Sequence, residues 1–297
     1  MNRRTRLRAR RAALTALAAA AVVPAAVPAL ASAAGTVSKT ATAMTVKAGA
    51  GDANALKVYV VGAAIIAEDK TSLALTAGAG CVQLTSYRAG CTAAGLTQLD
   101  VDAGDLNDTI DVDVPITNAL LVGGAGNDSL RGVGAGQKVF GGSAGFDTVT
   151  YSGLTVPVYA SLDATLNDGP FDGAPDFIGA DVEGIVGGSA NDLIVGGTTP
   201  NSSLSGGPGN DSVQAGSAGA TLLGGTGNDI VTGGAGNDSL SGNEGSDTMD
   251  GKGGNDLIVS ADGVTGEKVT CGSGTDTAFV DVWDAIQDPA ACESVLW

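Results

Sequence analysis

Residues 206–259 consist of six consecutive nonapeptides: GGPGNDSVQ, AGSAGATLL, GGTGNDIVT, GGAGNDSLS, GNEGSDTMD and GKGGNDLIV. The sixth position is aspartate in five of the six units, and the eighth position is apolar in all of them. A fixed nine-residue period is typical of a solenoid, whose units bury their apolar side only by stacking on one another. The pattern therefore predicts that each unit makes a polar turn and then a short strand.

The glycines of these units favour a tightly curled backbone, because glycine adopts positive φ and lets another chain approach closely without a Cβ clash. A curled loop can point several carbonyl oxygens inward beside the aspartate carboxylate. Such an oxygen cage suits calcium, which takes roughly six to eight oxygen ligands in flexible geometry, better than magnesium, which requires a tighter octahedron. A flexible Gly/Asp-rich linker is the alternative, but a linker has no reason to keep an apolar residue in register.

The repeat resembles G-G-x-G-x-D-x-U-x, with U apolar, of the RTX or hemolysin-type calcium-binding proteins. The resemblance covers residues 187–259 closely and residues 103–149 loosely. It implies an all-β fold, a parallel β-roll that is a right-handed β-solenoid, with β caps at both ends. It also implies that two nonapeptides make one turn and that calcium ions lie between stacked loops.

With two units per turn, loops eighteen residues apart share one edge of the roll. One edge then carries four aspartates, and we expect three ions there. The other edge carries Asn201, Ala220, Asp238 and Asp256, and we expect at least one ion on it. A degenerate unit at 103–108 and a full unit at 123–131 place Asp108 and Asp128 twenty residues apart, and Asp276 follows Asp256 at the same spacing.

The predicted calcium ligands fall into two groups. The carboxylates are those of Asp108, Asp128, Asp147, Asp192, Asp211, Asp229, Asp238, Asp247, Asp256 and Asp276. The loops that would supply backbone carbonyls contain Gly206, Gly207, Gly209, Gly224, Gly225, Gly227, Gly233, Gly234, Gly236, Gly251, Gly253 and Gly254.

The first 33 residues predict a secretory signal. Six arginines precede an alanine-rich apolar stretch, and the tripeptide Ala31-Ser32-Ala33 provides a small-residue cleavage site. A transmembrane anchor is the weaker alternative, because Pro24 and Pro28 interrupt the stretch. We expect a secreted, extracellular protein without membrane insertion, exported by the Sec or the twin-arginine route.

The charge balance excludes nucleic acid as a partner. The whole chain has 15 basic and 32 acidic residues, a net charge of −17. Cleavage after residue 33 would remove six arginines and no acid, which leaves nine basic against 32 acidic residues and a net charge of −23. Phosphate backbones require a basic surface.

The four cysteines allow three disulfide pairings, and their positions favour Cys81–Cys91 and Cys271–Cys292. A metal or redox site is the alternative, but the chain has no C-x-x-C spacing and no histidine. Each disulfide would fix one end of the solenoid.

The sequence divides into six parts. They are the signal (1–33), an N-terminal β cap (34–102), degenerate repeats (103–150), an insertion or excursion (151–186), the regular calcium-binding roll (187–260) and a C-terminal cap (261–297). Most of the aromatic side chains outside the caps lie in 151–186, which is either a partner-binding loop or an irregular turn of the solenoid.

We expect no enzyme, because a chain without histidine lacks a Ser-His-Asp triad and an HExxH zinc site. The function we predict is that of a secreted, calcium-binding solenoid with a structural, cell-surface or matrix role, whose partner is unknown. One alternative is an adhesin or toxin-associated protein that presents 151–186 to a partner. Another is a hydrolase that uses the repeats as a secretion aid.

Overall fold

Strands of two to eight residues follow one another along the chain, and in the repeats successive strands join two different sheets. The computed structural model describes residues 34–132, 136–171, 173–287 and 291–296. Within these ranges there are 29 strands and no helix, arranged as a 15-stranded and a 14-stranded sheet. The predicted all-β fold is confirmed as a parallel β-solenoid of about 10 turns. The predicted signal, residues 1–33, lies outside the described residues.

The N-terminal part contains the first seven strands, several of which pair as antiparallel hairpins. They are β1 (Gly35–Lys39), β2 (Ala43–Lys47), β3 (Ala55–Val61), β4 (Ala64–Asp69), β5 (Leu75–Ala77), β6 (Cys81–Thr85) and β7 (Arg88–Thr92).

The degenerate repeats and residues 151–186 contain the next ten strands. They are β8 (Gln98–Asp105), β9 (Thr109–Asp113), β10 (Ala119–Ala125), β11 (Ser129–Gly132), β12 (Lys138–Ala144), β13 (Thr148–Thr150), β14 (Val158–Ser161), β15 (Leu166–Pro170), β16 (Asp176–Ile178) and β17 (Gly184–Val186).

The regular repeats and the C-terminal part contain the last twelve. They are β18 (Leu193–Val195), β19 (Ser202–Pro208), β20 (Ser212–Gln214), β21 (Ala220–Thr226), β22 (Ile230–Thr232), β23 (Ser239–Glu244), β24 (Thr248–Asp250), β25 (Leu257–Val259), β26 (Lys268–Thr270), β27 (Thr277–Phe279), β28 (Ala285–Ile286) and β29 (Ser294–Leu296).

The regular repeats stack in strict parallel register. Strands β18, β20, β22, β24, β26 and β28 are consecutive neighbours in the 15-stranded sheet, and β17, β19, β21, β23, β25, β27 and β29 in the 14-stranded sheet. The apolar residue at the eighth position of each nonapeptide points between the sheets and is completely buried, as seen at Val213, Leu222, Val231, Leu240, Met249 and Ile258. Burial of such a side chain contributes about 1.5–3 kcal/mol. These residues alternate between the two sheets, so one row from each sheet contributes to the core of the roll.

Residues 151–186 are built into the solenoid. Strand β14 pairs in parallel with β18, β15 lies antiparallel beside β14, and β16 continues to β12. Tyr151, Val158 and Ala160 are buried, whereas Leu166 and Phe171 are exposed. The segment therefore bridges the two halves of the 15-stranded sheet and exposes only part of its apolar surface.

Both ends of the solenoid continue the two sheets. Strands β2 and β3 pair in parallel with β8 and β9, so the N-terminal part already contains a turn in register with the repeats. The disulfides Cys81–Cys91 and Cys271–Cys292 are both present, as predicted. In the C-terminal part, β28 and β29 form the last rung, and Trp283 is 66% exposed. No described helix is long and apolar enough to span a membrane.

Candidate metal centre

Acidic side chains form two columns, one along each sheet, because each precedes a strand and the strands stack in register. The first column precedes strands of the 15-stranded sheet and consists of Asp192, Asp211, Asp229, Asp247, Glu267 and Asp284. The second column runs along the 14-stranded sheet and consists of Asn54, Asp108, Asp128, Asp147, Glu183, Ser202, Ala220, Asp238, Asp256, Asp276 and Glu293. The ten predicted aspartates all lie in these columns.

Hydrogen bonds between turns hold the carboxylates of the ten predicted aspartates in place. In the first column, the backbone N–H of Asp211 donates to Asp229 Oδ1 (2.8 Å) and that of Asp229 donates to Asp247 Oδ1 (2.8 Å). In the second column, the N–H of Asp256 donates to Asp276 Oδ1 (2.7 Å). At each of the ten predicted aspartates, one carboxylate oxygen therefore joins neighbouring turns.

The other carboxylate oxygen is buried without a hydrogen-bond partner at seven of the ten predicted aspartates. These are the Oδ2 atoms of Asp108, Asp128, Asp211, Asp229, Asp247, Asp256 and Asp276. A buried anionic oxygen without a donor is costly. Seven of them in two aligned columns indicate that positive charge, a cation or protons, belongs beside them.

Glycines in the repeat loops lie where any side chain would collide with these oxygens. A Cβ on Gly224 would collide with Asp229 Oδ2 and would lie 2.7 Å from the Gly242 carbonyl oxygen of the next turn. A Cβ on Gly206 would meet Asp211 Oδ2 and the Gly224 carbonyl in the same way. Each loop thus brings a carboxylate oxygen and a carbonyl of the following turn around one glycine, and this donor set fits calcium.

Backbone oxygens must supply most of the ligands. Within the described ranges, no three carboxylate, thiolate or imidazole side chains are grouped so as to hold a metal ion. Two predicted ligands also have both oxygens engaged. Asp192 Oδ2 accepts the Gly188 N–H (2.5 Å) and Asp238 Oδ2 accepts the Gly234 N–H (2.6 Å). These aspartates follow the non-acidic rungs Val158 and Ala220.

Burial raises the pKa of Asp108, Asp211, Asp229 and Asp256 above the ordinary value of 3.8, because a carboxylate out of water loses hydration. The pKa rises to about 6 for Asp211 and Asp229 and to about 7 for Asp108 and Asp256. Backbone N–H donors lower these values in part, while repulsion from adjacent carboxylates raises them further. Near neutral pH, the metal-free columns therefore resist full ionisation.

The stability of calcium-free protein should fall as pH rises from about 4 to about 7. The folded state has the higher carboxyl pKa values, so in this window it binds more protons than the unfolded state, and the free energy of unfolding decreases as those protons leave. Calcium requires the ionised carboxylates, so the increase in unfolding temperature that calcium causes should be larger at pH 7.5 than at pH 5. Scanning calorimetry of calcium-depleted and calcium-loaded protein at both pH values measures this. Calcium-free protein that becomes more stable toward pH 7 would contradict the expectation.

The structure adds rungs that the nonapeptide pattern does not reveal. Glu183 Oε2 accepts the N–H of Asp147 (2.9 Å), and Glu293 Oε2 accepts the N–H of Asp276 (2.6 Å), so glutamates end the acidic runs of the second column. Glu267 follows Asp247 in the first column. Each of these glutamates stands two residues before an apolar residue, as the aspartates do. This spacing is the feature of the sequence that could have identified them as rungs.

The prediction for Asn201 was wrong by one residue. Asn201 has a positive φ of 60° and forms part of a turn, so β19 begins at Ser202, and Ser202 occupies the rung beside Ala220. The insertion before this strand changes the spacing along the chain, whereas register between turns fixes the rung.

The asparagines that precede the aspartates form an additional exposed column. Asn191 Oδ1 accepts the Asn210 N–H (2.9 Å), and Asn210 Oδ1 accepts the Asn228 N–H (2.8 Å). These bonds run in the opposite direction along the solenoid to those of the carboxylates. The recurrent Asn-Asp pair thus ties each loop to both of its neighbours, which explains the fifth position of the repeat.

Comparison with known proteins agrees with this geometry. The family model for the RTX calcium-binding nonapeptide repeat matches four copies, at residues 118–149, 201–218 and 223–258. No curated protein matches the chain. The matched residues contain the free carboxylate oxygens of Asp128, Asp211, Asp229, Asp247 and Asp256. The stacked nonapeptides, the two acidic columns and the family match together show that the chain contains RTX-type calcium-binding repeats at these residues.

Proposed function

We propose that the protein is secreted and non-catalytic, and that extracellular calcium folds or stiffens its solenoid for a structural, cell-surface or matrix role. The seven buried Oδ2 atoms without partners carry this proposal. Calcium between the turns would neutralise the columns and join consecutive loops. Extracellular calcium modules bind at roughly 0.1–1 mM, so the columns would fill after export and not in the cytosol.

Four gaps between loops combine a free carboxylate oxygen with a carbonyl of the next turn around a glycine. They lie between the rungs Asp128 and Asp147, Asp211 and Asp229, Asp229 and Asp247, and Asp256 and Asp276. We assign one calcium ion to each. This assignment puts fewer ions on the first column than the three expected from spacing, because the Asp192 carboxylate is already satisfied by Gly188.

Secretion and the absence of catalysis rest on separate observations. Two disulfides suit an oxidising compartment outside the cytosol. The chain contains no histidine, and most of its buried carboxylates recur at a fixed rung of the two columns. A repeated anionic column is suited to binding many cations of one kind.

Calcium titration into depleted protein tests the proposal, with far-UV circular dichroism and tryptophan fluorescence as readouts and magnesium as the matched ion. We expect a cooperative increase in β-structure with calcium and little response to magnesium at the same concentration, since magnesium gives up its water reluctantly. A β-rich spectrum that does not change with calcium, together with no binding by equilibrium dialysis, would refute the proposal.

A further inference from the structure

The first acidic column continues past the matched repeats into a carboxylate pair of different construction. Glu267 lies directly before β26 and Asp284 directly before the neighbouring strand β28, and the N–H of Ala285 donates to the Glu267 carbonyl (2.8 Å). The loop that leads to Glu267, SADGVTGE, lacks the nonapeptide pattern and lies outside the family match.

Glu267 is the most completely unsatisfied side chain of this region. The residue is 1% exposed, and both Oε1 and Oε2 are buried without a hydrogen-bond partner. The glutamates that end the second column differ, because Glu183 and Glu293 each accept a backbone N–H from the preceding rung. Glu267 therefore carries charge that its own chain does not compensate.

Asp284 contributes a third free oxygen. Its Oδ2 is fixed by two donors, the Ser260 hydroxyl (2.8 Å) and the Asp281 N–H (2.7 Å). Its Oδ1 is buried and has no partner. Ser260 follows Val259, which pairs with Ser241, so it takes the position that Gly242 has in the preceding loop. Its hydroxyl group, which glycine lacks, orients the Asp284 carboxylate.

No basic side chain balances this pair. Among the described residues, neither Glu267 nor Asp284 forms an ion pair with lysine or arginine. The neighbouring charges are also acidic. Burial contributes most to raising the pKa of Glu267, the hydrogen-bond contact with the Asp284 carboxyl group comes second, and repulsion from Asp284 and Asp262 adds to both. Two adjacent carboxylates with three buried free oxygens require a positive charge between them.

We propose that Glu267 and Asp284 form a calcium site outside the nonapeptides, which joins the last two rungs of the first column. The site rests on the proposed function, since it requires that the protein takes up calcium. It differs from the repeat sites in having two carboxylates in contact and no glycine cradle. An ion here would lock the C-terminal end that the Cys271–Cys292 disulfide also holds.

Terbium, a luminescent substitute for calcium, can locate this site because Trp283 adjoins Asp284 in the chain. Excitation of tryptophan should give terbium emission that calcium suppresses and that Trp283→Phe abolishes. Glu267→Gln keeps the size of the side chain and removes its charge, and we expect it to weaken terbium and calcium binding at this site about tenfold or more. Asp284→Asn should have the same effect and provides a second variant.

Glu293→Gln is the matched control, because Glu293 ends the other column and its Oε2 accepts a backbone N–H. It should retain the tryptophan-sensitised emission. Equilibrium dialysis should give one calcium ion fewer for Glu267→Gln than for the unmodified protein. An equal calcium count, or emission equal to that of Glu293→Gln, would overturn this site and leave the repeat sites standing. Absence of sensitised emission despite calcium uptake would show that the pair shares a proton instead. No calcium uptake by the unmodified protein would reject both proposals.

Discussion

Asp229→Asn should destabilise the protein in calcium and leave it equally or more stable without calcium. Asparagine keeps an Oδ1 acceptor for the Asp211 N–H but removes the charge of the buried, unpartnered Oδ2. Asp229 borders two of the four assigned gaps. With a dissociation constant of roughly 0.1–1 mM, calcium at about 10 mM contributes about 1.4–2.7 kcal/mol per ion, so loss of two ions should cost about 3–5 kcal/mol.

The measurement is the chemical denaturation midpoint of each variant in calcium and after calcium depletion. Asp250→Asn is the matched control, because Asp250 lies in the next turn of the same sheet but forms a partly exposed ion pair with Lys252 (2.6 Å), and such pairs contribute about 0–1 kcal/mol. If Asp229→Asn lowers the stability in calcium but not after calcium depletion, the effect comes from ion binding and not from packing. Equal destabilisation of Asp229→Asn with and without calcium would show that the carboxylate has only a structural role.

Gly224→Ala should destabilise the protein under both conditions, and more strongly in calcium. The added methyl group would collide with Asp229 Oδ2 and approach the Gly242 carbonyl oxygen to 2.7 Å. The Asp229 carboxylate is held by a hydrogen bond and the carbonyl belongs to the backbone, so neither atom can move aside freely. Overpacking of this kind costs about 1–3 kcal/mol. In calcium, loss of the ion from the same space adds about 1.4–2.7 kcal/mol.

Gly253→Ala controls for the change from glycine to alanine in a repeat loop. Its Cβ would lie 3.3 Å from Ser273 Oγ, the end of a side chain that can rotate, and its other neighbours are 3.9 Å away. We expect less than about 1 kcal/mol of destabilisation, independent of calcium. Calcium stoichiometry should fall for Gly224→Ala and stay constant for Gly253→Ala, and an unchanged stoichiometry for both would argue against an ion beside Gly224.

The sequence by itself determined the repeating part of the protein. Nine-residue periodicity with an apolar residue at a fixed position predicts stacked strands, because only stacking buries that residue. Regular spacing was enough to align Asp211, Asp229 and Asp247. The short distance in sequence between the two cysteines of each pair was enough to predict both disulfides. Where the chain has no insertion, distance along the sequence equals position along the solenoid.

Only the tertiary structure decided the irregular parts, because an insertion separates chain spacing from hydrogen-bond register. Glu183 follows Asp147 by 36 residues yet occupies the next rung, since β17 pairs directly with β13. The same effect moved one rung from Asn201 to Ser202. The free oxygens of Glu267 and Asp284 also became visible only in three dimensions, since a residue type does not reveal whether its buried charge is satisfied.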